Sequence, residues 1–201
     1  MPDYLIEKEI IESGKKIVAG VDEAGRGPLA GPVCAAAVIL PVDLEIEGLN
    51  DSKKLSEKKR EKLYDIIIDK AVAYDIQLVD NEVIDEINIL QATMLAMTNA
   101  VNSLSVKPDF VIIDGNRLPE QLEIPAKAVV KGDAKSMSIA AASILAKVTR
   151  DRLMLELAKE YPEYEFERHK GYGTQLHCEK LREFGPCKIH RKTFIKKILD
   201  K

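Results

Sequence analysis

The chain is poor in everything that export or membrane insertion requires. No apolar run approaches the roughly 20 residues of a membrane span. The opening stretch, MPDYLIEKEI, is acidic where a secretory leader carries positive charge ahead of a long apolar core. Cysteine is scarce, and Cys34, Cys178 and Cys187 form no CxxC pair, which argues against a disulfide framework and fits reduced thiols. No internal repeat, low-complexity tract or flexible linker divides the 201 residues, so a single domain with a full core is expected. These absences describe a soluble, cytoplasmic protein.

A strong net charge is also lacking, since the total is only −3. Its distribution is less even. Residues 165–201 hold ten Lys/Arg against five Asp/Glu, a net of +5, which leaves −8 for the preceding part. A basic tail on an acidic body can form one electropositive wall facing a phosphate backbone. It can equally be a solvated helical surface.

Periodicity supplies the elements. KIVAGVD, VCAAAVILP, AYDIQLV, DFVIIDG and AKAVV read as strands, DFVIIDG as a buried, central one. LSEKKREKLYDIIIDKA reads as a helix capped by Ser56, and NEVIDEINILQATMLAMTNAVNSL as a second. A long helix is expected to begin just after Lys131-Gly132-Asp133, with short helices and loops beyond it. The order β-β-α-β-α-β-β-α indicates a mixed α/β sheet covered by helices.

Acids gather at the strand ends. Asp22 and Glu23 close the first strand, Asp114 closes FVIID, and Asp133 follows AVVKG. Ligand sites in α/β sheets tend to lie at such ends. Converging carboxylates repel one another unless cations share the site. Oxygen donors without histidine or cysteine nearby favour Mg²⁺ or Mn²⁺, and a pair of such ions serves phosphodiester hydrolysis. Taken singly, each acid has a plainer reading: Asp133 as a helix cap, Asp114-Gly115 as a turn. Asp22 and Glu23 also pose a geometric problem, because adjacent strand residues point to opposite faces. Either the strand twists out of register at its end, or Glu23 engages a metal less directly.

Gly25, Gly27 and Ala30 match the G-x-G-x-x-G/A dinucleotide fingerprint, but that loop must open a helix. Here a second strand begins at about Val33, and Pro28 and Pro32 favour a tight connection, so an organic cofactor is not expected. The glycines can instead bring backbone N–H and C=O groups close to a ligand. A ribose 2′-hydroxyl donates and accepts, and it separates RNA from DNA. Backbone groups beside Arg26 are suited to read it, with the guanidinium on a phosphate.

In this order GVDEAGRGPLAGPV, LNDSKKLSEKKR, IDEINILQATMLAM, IIDGN, VVKGDAKSMSIAAASILAKVTRD and HKGYGTQLH…HRKTF resemble the bacterial ribonuclease HII family, from about Lys16 to Phe194. The resemblance implies a ribonuclease H-like fold, a mixed five-stranded sheet flanked by helices with a C-terminal helical region. On that reading residues 1–164 are the catalytic core, and 165–201 are a basic helical region packed on it. It implies an endonuclease for the RNA strand of RNA–DNA hybrids and for single ribonucleotides in duplex DNA, acting as a monomer with two Mn²⁺ or Mg²⁺ ions. The products would carry 5′-phosphate and 3′-hydroxyl ends. It places the catalytic, metal-binding acids on Asp22, Glu23, Asp114 and Asp133 and the 2′-OH reader on Gly25, Arg26 and Gly27. Tyr172 would pack on the sugar at the RNA–DNA junction, and Lys53 would contact phosphate. Thr193 stands where the family more often has serine.

Other residues have plainer readings. Ser143 and Lys147 lie in a small-residue helix that permits close packing on the sheet, and Cys34 reads as core. The spacing of His177, Cys178, Cys187 and His190 fits structural zinc poorly. Two further functions stay open from the residues alone. One is a different metal-dependent nuclease on a similar sheet, such as a junction resolvase; the other is a hybrid-binding module without catalysis.

Overall fold

The structure, a computed structural model, describes residues 2–199. A short helix α1 (Leu5–Glu12) precedes β1 (Val18–Ala24) and β2 (Val33–Ile39). Then come α2 (Glu57–Lys70), β3 (Ala73–Val79), α3 (Asn81–Asn102), β4 (Phe110–Asp114), β5 (Ala126–Val129) and α4 (Met137–Glu160). Short helices α5 (Phe166–His169), α6 (Gln175–Phe184) and α7 (Lys192–Leu199) finish the chain. The five-stranded sheet has the order β3-β2-β1-β4-β5; β2 pairs antiparallel with both β1 and β3, whereas β1, β4 and β5 are mutually parallel. This is the expected mixed sheet. No helix among the described residues is long and apolar enough to cross a membrane.

Two-residue alternation sorts the strands onto two cores. Ala19, Val21, Ala35, Val111 and Ile113 face α3 on one side. Cys34, Ala36 and Val38 pack with Ala140, Ile144 and Leu145 of α4, and with Leu63 and Ile67 of α2, on the other. The expectation that α4 lies close on the sheet holds at Gly20, where an added Cβ would collide with the Ser138 and Ile139 backbone. Small strand residues thus bring α4, and the turn before it, against the centre of the sheet.

Three element expectations need correction. The long helix starts at Met137, not directly after Asp133, because Ser136 caps it by accepting the Ile139 N–H at 3.1 Å. Residues Gly132–Ala134 form a separate 3-10 turn, entered through Lys131 at φ 57°. The helix expected over 81–104 is broken at Asn88 (φ 68°), whose side chain accepts the Leu90 and Gln91 N–H groups and so starts a second segment. Helix α1 was not foreseen. It packs Ile10 against Val18, Ile112 and Ile139, and Glu7 accepts bonds from Ser136 Oγ at 2.7 Å and Ser138 N at 3.0 Å.

Candidate active site

The parallel pairing of β1 with β4, with Val21 opposite Ile113, sets Asp22 beside Asp114 at one end of the sheet. Both belong to the pleat face that carries Gly20 and Ile112, the face covered by α4. Asp114 Oδ1 accepts the Gly132 N–H at 2.6 Å, which ties β4 to the turn carrying Asp133. Asp22 Oδ1 accepts the Glu23 N–H at 2.7 Å. Asp22 and Asp133 are both buried.

Burial, then the charges of Glu23 and Asp114, holds the Asp22 carboxyl well above the usual carboxylate range. Burial, then Asp51 and Asp114, also raises Asp133. Lys53 sits in one turn of 3-10 helix, Ser52–Lys54, held to α4 by the Ser143-to-Ser52 hydroxyl bond at 2.7 Å. Burial pulls the Lys53 ammonium down, but Asp22, Asp133, Asp51 and Asp114 outweigh it and leave its pKa raised. Lys53 therefore lies within the field of the acid group. Ser143 does more than allow close packing, since it anchors the turn that presents this lysine.

The question raised by adjacent Asp22 and Glu23 has a definite answer. The strand continues regularly through Ala24, with Glu23 opposite Ala35, so the two side chains leave by opposite faces. Glu23 lies on the α3 side of the sheet edge. There it borders a groove of about 380 Å³ shared with Arg26, Asp114 and Asn116, and with Leu90 and Met94 from beyond the α3 break. Burial first raises its carboxyl, against the lowering pull of Arg26, whose Nη1 is 3.4 Å from Glu23 Oε1. The Arg26 guanidinium thus turns back to Glu23 in this structure.

The loop between β1 and β2 is held from below by two buried arginines. Arg191 donates to the carbonyls of Gly31 (2.9 Å), Arg26 (3.0 Å) and Gly25 (2.6 Å). Arg150 donates to those of Pro32 (2.9 Å), Ala30 (3.1 Å) and Lys170 (3.0 Å). With its carbonyls drawn inward, the loop presents its other face outward. Gly25 has φ +95°, and an added Cβ would collide with the Arg150 side chain. The nearest atom to a Cβ built on Gly27 is Tyr172 Cε1, 3.9 Å away. The half-exposed Tyr172 ring has Lys147 Nζ 5.6 Å from its centroid, and Lys147 also bonds Asp151 at 2.7 Å.

The structure therefore brings Asp22, Asp114, Asp133 and Lys53 together and sets Gly27 against Tyr172. It leaves Glu23 at the same sheet end on the other pleat face. The plain reading of Asp133 as a helix cap is overturned, because Ser136 has that role. Arg150, Arg191 and Asp51 are not foreseen from the sequence, and Lys147, read there only as part of a packing helix, lies over the Tyr172 ring. Arg150 alone had a visible signal: it falls on the helical stripe of Ser143, Ala146 and Met154, all buried.

Among the described residues, no three acidic, histidine or cysteine side chains already close on one ion-sized point. The donor set nevertheless fits a hard divalent cation. It is oxygen only, and burial with mutual repulsion raises the pKa of Asp22, Glu23 and Asp133, an imbalance that a dication would relieve.

Comparison with known proteins gives a consistent result. The model of the family described as Ribonuclease HII matches residues 19–197. A ribonuclease HII from Caldicellulosiruptor saccharolyticus is 55% identical over 196 residues, covering 98% of this chain and 95% of that protein. One from Endomicrobium trichonymphae is 60% identical over 191 residues, covering 95% and 91% respectively. The crystal structure of ribonuclease H2 from Pyrococcus horikoshii superposes with a TM-score of 0.75 at 33% identity, covering 92% of this chain and 98% of that one.

Proposed function

Because the chain belongs to the ribonuclease HII family, metal-dependent endoribonucleases of the ribonuclease H type, we propose that it cuts the RNA strand of RNA–DNA hybrids and the 5′ side of single ribonucleotides in duplex DNA. The products carry 5′-phosphate and 3′-hydroxyl ends. The observation that supports this most is one juxtaposition. Asp22, Asp114 and Asp133 share a sheet end, and the chain runs from Asp22 and Glu23 into a glycine loop facing Tyr172.

In this reading Asp22, Asp114 and Asp133 hold Mg²⁺ or Mn²⁺ on the α4 side of the sheet, and Glu23 completes the site from the α3 side. When bound, two such ions lower the pKa of the attacking water and stabilise the departing 3′-oxygen. Lys53, held in its charged form by the acids' field, meets a phosphate of the cut strand. Backbone groups of Gly25, Arg26 and Gly27 bond the 2′-hydroxyl, and the Tyr172 ring packs on the sugar at the junction. The loop's fixed carbonyls matter here, because a reader that shifts by an ångström no longer aligns the phosphate. Residues 165–201 lie along the duplex with their net positive charge. The cysteines are free thiols, in keeping with a cytoplasmic enzyme.

The test compares two DNA duplexes that differ by one 2′-hydroxyl. The ribonucleotide duplex is expected to be cut at one position, and the all-DNA duplex at least ~10³-fold more slowly, because a site built to bond a hydroxyl rejects the analogue lacking it. A junction resolvase would treat both alike, and a binding module would cut neither. Either result would refute the proposal.

A further inference from the structure

All three histidines of the chain, His169, His177 and His190, lie buried together beneath the turn that carries Tyr172. His169 and His177 stack with ring centroids 4.4 Å apart. Their hydrogen bonds leave little freedom in where the protons sit. The Tyr172 carbonyl, 3.0 Å from His177 Nδ1, can only accept, so Nδ1 carries the proton and Nε2 of the neutral ring has none. His190 Nε2 lies 3.1 Å from that bare nitrogen and must donate to it. His190 Nδ1 is then bare, and it accepts the Cys187 N–H at 2.9 Å, with Cys187 Sγ 3.1 Å away. His169 repeats the logic: Nε2 donates to the Tyr164 carbonyl at 2.9 Å, and Nδ1 accepts the Gly171 N–H at 3.2 Å.

We propose that Cys187, His190 and His177 form a tautomer-locked chain of hydrogen bonds that fixes the height of Tyr172 beside Gly27, making both histidines positioning residues for recognition of the ribonucleotide. The inference rests on the reading of Tyr172 as the sugar-packing residue. The direction of the chain is set at both ends by backbone groups that cannot reverse roles, and every link needs neutral rings. Burial supports that state by pushing His177 and His190 down to about 4. The backbone of the turn is also tied at Lys170 and Gly171, whose carbonyls accept from Arg150 (3.0 Å) and the Leu29 N–H (2.8 Å), and the Tyr172 carbonyl accepts the Thr174 N–H at 2.8 Å besides His177. Gly171 lies at φ +83° against the Ala30 carbonyl and Lys170 at φ 49°, and within this bent turn His177 Nδ1 is the side-chain donor that reaches the Tyr172 carbonyl from the core. Asparagine at 177 can supply a donor where Nδ1 stands, whereas leucine fills the space without one.

Nitrogen-15 NMR of the histidine-labelled full chain at neutral pH should find His177 neutral and protonated on Nδ1, and His190 neutral and protonated on Nε2. His177→Leu should raise KM for a single-ribonucleotide duplex by about ten-fold, the worth of one buried hydrogen bond, with kcat changed far less. His177→Asn should recover most of that loss. In a Tyr172→Ala background, His177→Leu should add nothing. The opposite tautomers, no KM effect in a folded His177→Leu protein, equal damage by Asn and Leu, or full additivity with Tyr172→Ala would each overturn the relay. If Tyr172→Ala alone leaves cleavage unchanged, the sugar-packing reading fails and the inference falls with it. The tautomer spectrum identifies that case, because the hydrogen-bond chain would still be present.

Discussion

Asp22→Asn is expected to lower cleavage of a ribonucleotide-containing duplex by at least ~10³-fold, the upper end of what loss of one electrostatic stabiliser costs. Duplex binding should largely survive, because the basic surface and the glycine loop are untouched. The same substitution should make the metal-free protein more stable. Asp22 is buried beside Glu23 and Asp114, and its carboxyl is held well above the ordinary range, by burial first and by those charges next. An acid whose folded pKa is raised favours the native state below its unfolded pKa, and that contribution is lost as pH rises through the folded value. At neutral pH Asp22 therefore disfavours the metal-free native state. Asparagine can still accept the Glu23 N–H and removes one of the repelling charges. A gain of about 1–2 kcal/mol is expected, the usual yield of relieving a functional site. Thermal unfolding checks it directly: Mn²⁺ should raise the midpoint of the wild type and barely move that of the variant. Equal turnover, or lower metal-free stability in the variant, would contradict the assignment.

The second large effect concerns a residue that touches no substrate. Arg191→Lys is expected to cost roughly 3–5 kcal/mol of stability, the loss of two hydrogen bonds from a charged donor. A single ammonium cannot reach the carbonyls of Gly25, Arg26 and Gly31, which the guanidinium fork spans. At a temperature where the variant stays folded, cleavage should fall by about 10²-fold, what a displacement of ~1 Å near the chemistry costs. Metal affinity should change little, since the acids stand on β1, β4 and the turn before α4. Denaturant unfolding, steady-state kinetics and Mn²⁺ titration on one preparation separate these three claims.

Much of this site was legible in the sequence because its chemistry is local. The run from Asp22 to Gly27 declares a strand end, two acids and a backbone-exposing turn within six residues. The return at Val33 ruled out a dinucleotide loop, and the antiparallel register of Glu23 with Ala35 is what that argument required. The same local reading could not decide whether Asp22 and Glu23 share a face. That depended on β1 staying regular to Ala24, which its pairing with β2 enforces.

What escaped the sequence is long-range. Arg191 reaches carbonyls some 160 residues earlier, and nothing in HRKTF distinguishes it from the surface lysine that follows. Asp133 looked like a helix cap because a helix follows, yet Ser136 serves better three residues later. Helix α1 is masked in the sequence by its charged residues. Its Ile6, Ile10 and Ile11 do form a stripe, which packs against the core built on Val18 and Ile112.

The central proposal is that the strand-end acids would hold divalent cations supporting a cut beside the ribose that the glycine loop reads. It is tested most directly by incubating the wild-type protein with a DNA duplex bearing a single ribonucleotide, with and without divalent metal, and mapping the ends. The expected result is one cut on the 5′ side of the ribonucleotide with Mg²⁺ or Mn²⁺, leaving a 5′-phosphate on the ribonucleotide, and no cut in a chelator. Undiminished cleavage in the chelator, or a cut indifferent to the position of the ribonucleotide, would contradict it.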